Sequence, residues 1–165
     1  MQARGKFAEA EPYFREALDK RRRLLGDGHQ STLLSIADMG SLWVDEGKPG
    51  EAAAVLAPAD AAMRKEFIGA NTYQLAQYLR SLGRARLALG QYAEAEANLL
   101  EAHEIFERGP GPIANQAQLF RQALADLYAA WNSAEPGKGY EVKAAGWKGA
   151  LDKLGSASAA APKAR

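Results

Sequence analysis

Not one of the 165 residues is a cysteine, and only two are histidines. The first absence excludes a disulfide framework and thiol chemistry and is compatible with a reducing, interior compartment. The second leaves metal and acid–base sites little to draw on, since His29 and His103 stand in no ligand spacing with each other. Charge of one sign is also missing: 21 Lys and Arg offset 20 Asp and Glu, for a formal net charge of +1. Nucleic acid and anionic membranes select for a basic footprint, so neither is expected as a partner. Long apolar runs are absent. No window reaches the roughly 18 residues needed to span a bilayer, and the start, MQARGKFAEAEPYF, is charged where a signal peptide would be apolar. A cytoplasmic location is the expectation.

What the chain does have is repetition. GKFAEAEPYFREAL, GKPGEAAAVLAPAD and GQYAEAEANLLEAH begin at Gly5, Gly47 and Gly90, spaced 42 and then 43 residues apart. Each copy carries an alanine (Ala10, Ala52, Ala95), then a large apolar residue (Phe14, Leu56, Leu99), then a second alanine (Ala17, Ala59, Ala102). The internal spacing of 3 to 4 is helical. In the first copy Phe7, Ala10, Phe14, Ala17, Arg21 and Leu25 share a face.

A second helical segment precedes each turn. Its inward positions read Leu33, Ile36, Met39, Gly40 and Trp43, then Leu75, Leu79, Leu82, Gly83 and Leu87, then Leu119, Phe120, Leu124, Ala125 and Tyr128. The recurring small residue, Gly40, Gly83 or Ala125, implies a close approach to a neighbour, because a mid-helix glycine costs about 1 kcal/mol relative to alanine. Gly26-Asp27-Gly28, Gly47-Lys48-Pro49, Gly69, Gly90 and Gly109-Pro110-Gly111-Pro112 break the runs. Helices are predicted at 7–25, 31–46, 49–67, 71–89, 92–108, 113–131 and 139–154. Neighbouring pairs must lean on one another to bury their mixed faces. The expected architecture is all-α, about seven helices: a half repeat at 5–25, full repeats at 31–67 and 71–108, a terminal repeat at 113–154, and a disordered tail at 155–165.

These residues resemble the tetratricopeptide repeat, a helix–turn–helix unit, over roughly residues 5–131 and less closely to 154. The period exceeds the ordinary unit of about 34 residues and is similar to the kinesin-light-chain subtype. LLGDGHQSTL is similar to the joint between repeats in that subtype. The resemblance implies a right-handed α-solenoid of antiparallel helix pairs that binds proteins and has no cofactor. Where the subtype carries an Asn-rich ridge, this chain has Ala37-Asp38, Arg80-Ser81 and Gln122-Ala123, so the peptide specificity of that subtype does not transfer. The chain opens on the second helix of a repeat, which creates the expectation of a fragment or of a start missed upstream. Leu127, Tyr128, Trp131 and Trp147 resemble the end of repeat tails that follow bacterial serine/threonine protein kinase domains.

Other candidate chemistry gives way to structural readings. No Gly-rich kinase loop, His-Arg-Asp or Asp-Phe-Gly is present. In EPGKGY the phosphate-loop pattern would need glycine at Asn132 and a hydroxyl at Gly139, so a turn is expected. The basic run Lys20-Arg21-Arg22-Arg23 ends a helix, where it complements the helix dipole. His103 reads as a packing residue. GDGHQSTL brings Asp27, His29 and Ser31 together, yet the joints IGANTYQL and RGPGPIANQ have no histidine. It is therefore read as a hinge, with Ser31 or Thr32 as the helix cap.

In such repeats the first helix of each pair lines the concave wall. The resemblance therefore points to Ser41 and Asp45, to Gln77, Arg80 and Arg84, and to Gln122 and Asp126 as partner contacts. Arg80 and Arg84, four apart on one face, suit an acidic segment through guanidinium–carboxylate pairing. Asp45 and Asp126 are the candidates to neutralise them. The function expected is a non-catalytic protein or peptide scaffold, with a kinase docking tail as the alternative. Self-association through the uncovered first helix is a further expectation.

Overall fold

The computed structural model describes residues 2–69, 72–109 and 114–160, with side chains over 9–69, 72–109 and 116–153. Every regular element among them is helical: α1 (Gln2–Leu25), α2 (Gln30–Asp45), α3 (Pro49–Leu56), α4 (Asp60–Glu66), α5 (Thr72–Ala88), α6 (Tyr92–Arg108), α7 (Ala114–Ala134) and α8 (Tyr140–Ala160). A 3₁₀ turn, Ala57–Ala59, joins α3 to α4. Pro58 accounts for it, because proline offers no N–H to the carbonyl four residues back and its ring crowds that carbonyl. Counted through this interruption, the described residues form seven rods, the number the repeat pattern predicts. The boundaries of α2, α5 and α6 fall within a residue of expectation. Helix α8 runs to Ala160, past the expected end at 154, and the remainder of the expected tail, 161–165, lies outside the described residues.

Consecutive helices pack on one another, and α2 with α5 and α5 with α7 also touch directly. This is an α-solenoid whose first-of-pair helices form one wall.

The repeated glycine at the turn has a backbone cause. Gly47 and Gly90 adopt φ of 76° and 72°, a left-handed conformation that side chains with a Cβ rarely adopt. The next residue then bonds back five positions, Lys48 N–H to Trp43 O at 2.8 Å and Gln91 N–H to Arg86 O at 2.9 Å. Two helices are thereby set side by side.

The small residue in the first helix also has its expected cause. A Cβ on Gly40 would lie 2.4 Å from Leu56 Cγ, and one on Gly83 would lie 2.7 Å from Leu99 Cγ. Each leucine of a second helix docks onto the bare backbone of the first. Leu33, Met39, Leu56, Met63, Phe67, Tyr78, Leu79 and Leu82 fill the main core, which also takes in Phe106 and Phe120. Each large side chain buried in this way contributes roughly 1.5–3 kcal/mol.

A second cluster closes the other end: Leu99, Leu124, Leu127, Tyr128 and Ala144, with Trp131, Tyr140 and Trp147 packed against it. Trp131 stacks between Tyr92 and Tyr140, with ring centroids 5.7 and 4.2 Å away.

Some inward assignments need correction. Leu119 is exposed, because it faces the same side as Gln122 and the core position beside it is held by Phe120. Arg21 and Leu25 are exposed as well, and Leu18 supplies the buried contact of α1. Phe7 lies where side chains are not described.

Candidate functional site

The GDGHQSTL joint is a helix start. His29 is the N-cap of α2, and its Nδ1 accepts the Ser31 N–H at 3.1 Å. The imidazole, rather than the expected Ser31 or Thr32 hydroxyl, satisfies this orphan donor, which requires a lone pair on Nδ1. Asp27 is occupied elsewhere, accepting from Arg22 Nε at 3.0 Å. The trio does not assemble as a reaction centre.

The wall made by α2, α5 and α7 brings several of the sequence-derived contacts together. Arg84 Nη1 bonds Asp45 Oδ1 at 2.8 Å, tying α5 to α2. Arg80 Nε donates to Gln77 Oε1 at 3.1 Å, and the guanidinium lies 5.7 Å from the centroid of the Phe120 ring on α7. Burial pulls the Arg80 pKa down, and the like charge of Arg84 adds to the effect. Gln122 donates to Asp126 at 2.7 Å within α7. Of the two acids expected to neutralise the arginines, only Asp45 does so; Asp126 is paired with Gln122.

Between α2 and α5 the wall opens into a cavity of about 230 Å³ lined by Ala37, Asp38, Ser41, Gln77, Tyr78, Arg80 and Ser81. Asp38 is the residue that sequence reasoning passed over. It sits where the Asn-rich ridge would be, and that register was its signal. The surrounding walls raise its carboxyl pKa through desolvation, opposed by the charge of Arg21, although the side chain as a whole remains exposed. Arg21 itself is held from α1 to α2, donating to Ser35 Oγ.

A larger cleft of about 500 Å³ lies at the α6–α7–α8 junction, among His103, Arg121, Ala145, Gly146, Trp147, Gly149, Ala150 and Lys153. The His103 ring meets the Trp147 ring edge-on at 4.9 Å, and burial lowers its pKa, keeping it neutral. Arg121 pairs with Glu107 at 3.0 Å. His103 thus packs a helix junction, as its position on α6 suggested.

Among the described residues no three His, Asp or Glu side chains gather as a metal ion would need. Among the described residues no helix is long and apolar enough to cross a membrane.

The comparison with protein families agrees with this geometry at one end of the chain. The tetratricopeptide repeat model matches residues 1–31, the stretch from α1 through the His29 cap. The match supports a repeat protein of the tetratricopeptide type. No curated relative matches the chain.

Proposed function

We propose that this chain is a non-catalytic scaffold that holds a peptide or partner domain along the α2–α5–α7 wall. Repeats of this type generally mediate protein–protein interaction, and the observation that carries the reading is the polar cavity between α2 and α5. Ser41, Asp45, Gln77, Arg80, Arg84, Gln122 and Asp126 are its contact residues. Binding rests on steric and electrostatic complementarity to a preformed surface, needs no cofactor, and takes place in the cytoplasm. The register of GDGHQSTL and the repeat period support the kinesin-light-chain subtype.

The stacking of Trp131 and Tyr140, and the contact of Trp147 with His103, favour a second reading for the C-terminal end. The residues that resemble kinase repeat tails form the closing cluster. A kinase catalytic domain encoded in frame upstream would make the scaffold a docking tail.

A pull-down with the intact chain, an Arg84→Glu variant and an Arg80→Glu/Arg84→Glu double variant tests the wall. Circular dichroism on each variant confirms the fold. Because Arg84→Glu breaks the tie to Asp45 and the pair also removes the Arg80–Gln77 bond, the set of captured proteins is expected to change with Arg84→Glu and further with the pair. An unchanged set of partners in both well-folded variants overturns the assignment.

A further inference from the structure

Resting on that reading, we infer that the cavity between α2 and α5 takes a lysine side chain of the bound partner, with its ammonium seated against Asp38. The sequence alone pointed to an acidic partner, through Arg80 and Arg84. The geometry reverses the sign. Arg84 is already paired with Asp45 at 2.8 Å. Arg80 is bonded to Gln77 and laid over Phe120, toward α7. An incoming carboxylate would meet guanidinium groups whose charge is already shared with Asp45, Gln77 and the Phe120 ring, and only their remaining N–H donors.

Asp38 presents the opposite situation. No N–H or O–H among the described residues donates to its carboxylate, and Arg21 acts on it only as a nearby charge. Ser41, Ser81 and Gln77 line the same cavity, as does Arg80, whose guanidinium is engaged by Gln77 and the Phe120 ring. The Gln77 carbonyl has a second lone pair beyond the one used by Arg80. An ammonium has three donors and no acceptor, which matches this set. The cavity, about 230 Å³, is several times the roughly 30 Å³ share of one water in the liquid, so a four-carbon stem fits along Ala37. Desolvation of Asp38 adds to the case, since a cation restores the stabilisation that water no longer gives the carboxylate.

The test uses the intact chain, ¹⁵N-labelled, titrated with the peptide Ac-Gly-Gly-Lys-Gly-Gly-NH2. Two further peptides carry Nε-acetyl-lysine or glutamate in place of the lysine. The lysine peptide is expected to shift the amides of residues 37–41 and 77–81, with an apparent Kd at least tenfold below that of either comparison peptide. Asp38→Asn, a change at an exposed position that leaves the helices intact, is expected to erase that tenfold difference. Equal affinity for all three peptides at these amides removes the lysine assignment and leaves the wall as a peptide-binding face. A preference for glutamate, or lysine selectivity that survives Asp38→Asn, overturns the inference in the same way. Shifts confined to α6 and α8 overturn both the inference and the wall.

Discussion

The middle of this solenoid and its C-terminal end are held together by different means. In the middle, Gly40 and Gly83 bring a first helix so close to the second that Leu56 and Leu99 rest on bare backbone. At the end, Ala125 replaces the glycine, and α8 carries Gly146 and Gly149, where an added Cβ would meet nothing within 4 Å. There the closure comes from rings, Tyr92, Trp131 and Tyr140 in a stack. A polar latch assists: Tyr128 O–H donates to Glu96 at 2.6 Å, and Lys143 reaches the same oxygen at 2.9 Å. The same residue type, a mid-helix glycine, is thus a packing requirement in one place and sterically idle in the other. Position in the repeat, and not composition, decides what it does.

Breaking the interlock should have the largest effect. Leu99→Ala removes a fully buried side chain from the α5–α6 contact, and a loss of about 2–5 kcal/mol is expected. Urea unfolding should show a lower midpoint; a midpoint equal to that of the parent would contradict the packing role.

Alanine substitutions at the glycines sharpen the contrast, because they should have opposite signs. Gly83→Ala forces a Cβ to within 2.7 Å of Leu99 Cγ. The overpacking costs typically about 1–3 kcal/mol, against a helix-propensity gain of about 1 kcal/mol, so stability should fall. Gly146→Ala meets open space and should raise stability by about 0.5–1 kcal/mol. Thermal melts of the two variants that move in the same direction would remove the distinction.

The smallest effect lies at the other end, where Glu11 on α1 accepts from Lys48 at 2.7 Å beside Arg15. Hydrogen bonds from Lys48, Trp43 and Arg15 hold its pKa down at about 2, from an ordinary 4.5. A carboxylate with a depressed folded pKa stabilises above its unfolded value and loses that contribution as pH falls toward the folded one. Glu11→Gln should therefore cost about 1 kcal/mol or less at neutral pH. The gap from the parent should close between about pH 5 and pH 2. A gap that stays constant across this range would show that the pairing is not the cause.

Much of the fold was legible because the repeat marks itself. Glycines at 5, 47 and 90 and the alanine–large–alanine spacing place helix ends to within a residue for α2, α5 and α6. Pro58 was visible, but the predicted helix at 49–67 ran through it, since spacing does not tell a continuous helix from one with a 3₁₀ step. His29 as a cap escaped notice because imidazole lies outside the usual Ser, Thr, Asp and Asn set. The wall residues could be named from their register, and Asp45 as a candidate partner of the arginines; which arginine it takes, and that Asp126 pairs with Gln122, could not. Arg84 meets Asp45 across two helices, and that offset depends on how α2 and α5 sit against each other, not on the period within one repeat. For the same reason Asp38, one turn from Ser41, was legible as a position and not as a carboxylate without a donor.

Whether the α2–α5–α7 wall holds the partner can be read by site-specific photo-crosslinking in a lysate. A photoreactive phenylalanine analogue is placed at Ser41 or Gln122 on the α2–α5–α7 wall, or at the exposed Glu104 on α6. The same discrete adducts are expected from Ser41 and Gln122, and none from Glu104. Adducts from Glu104 with none from the wall would contradict the assignment of the wall.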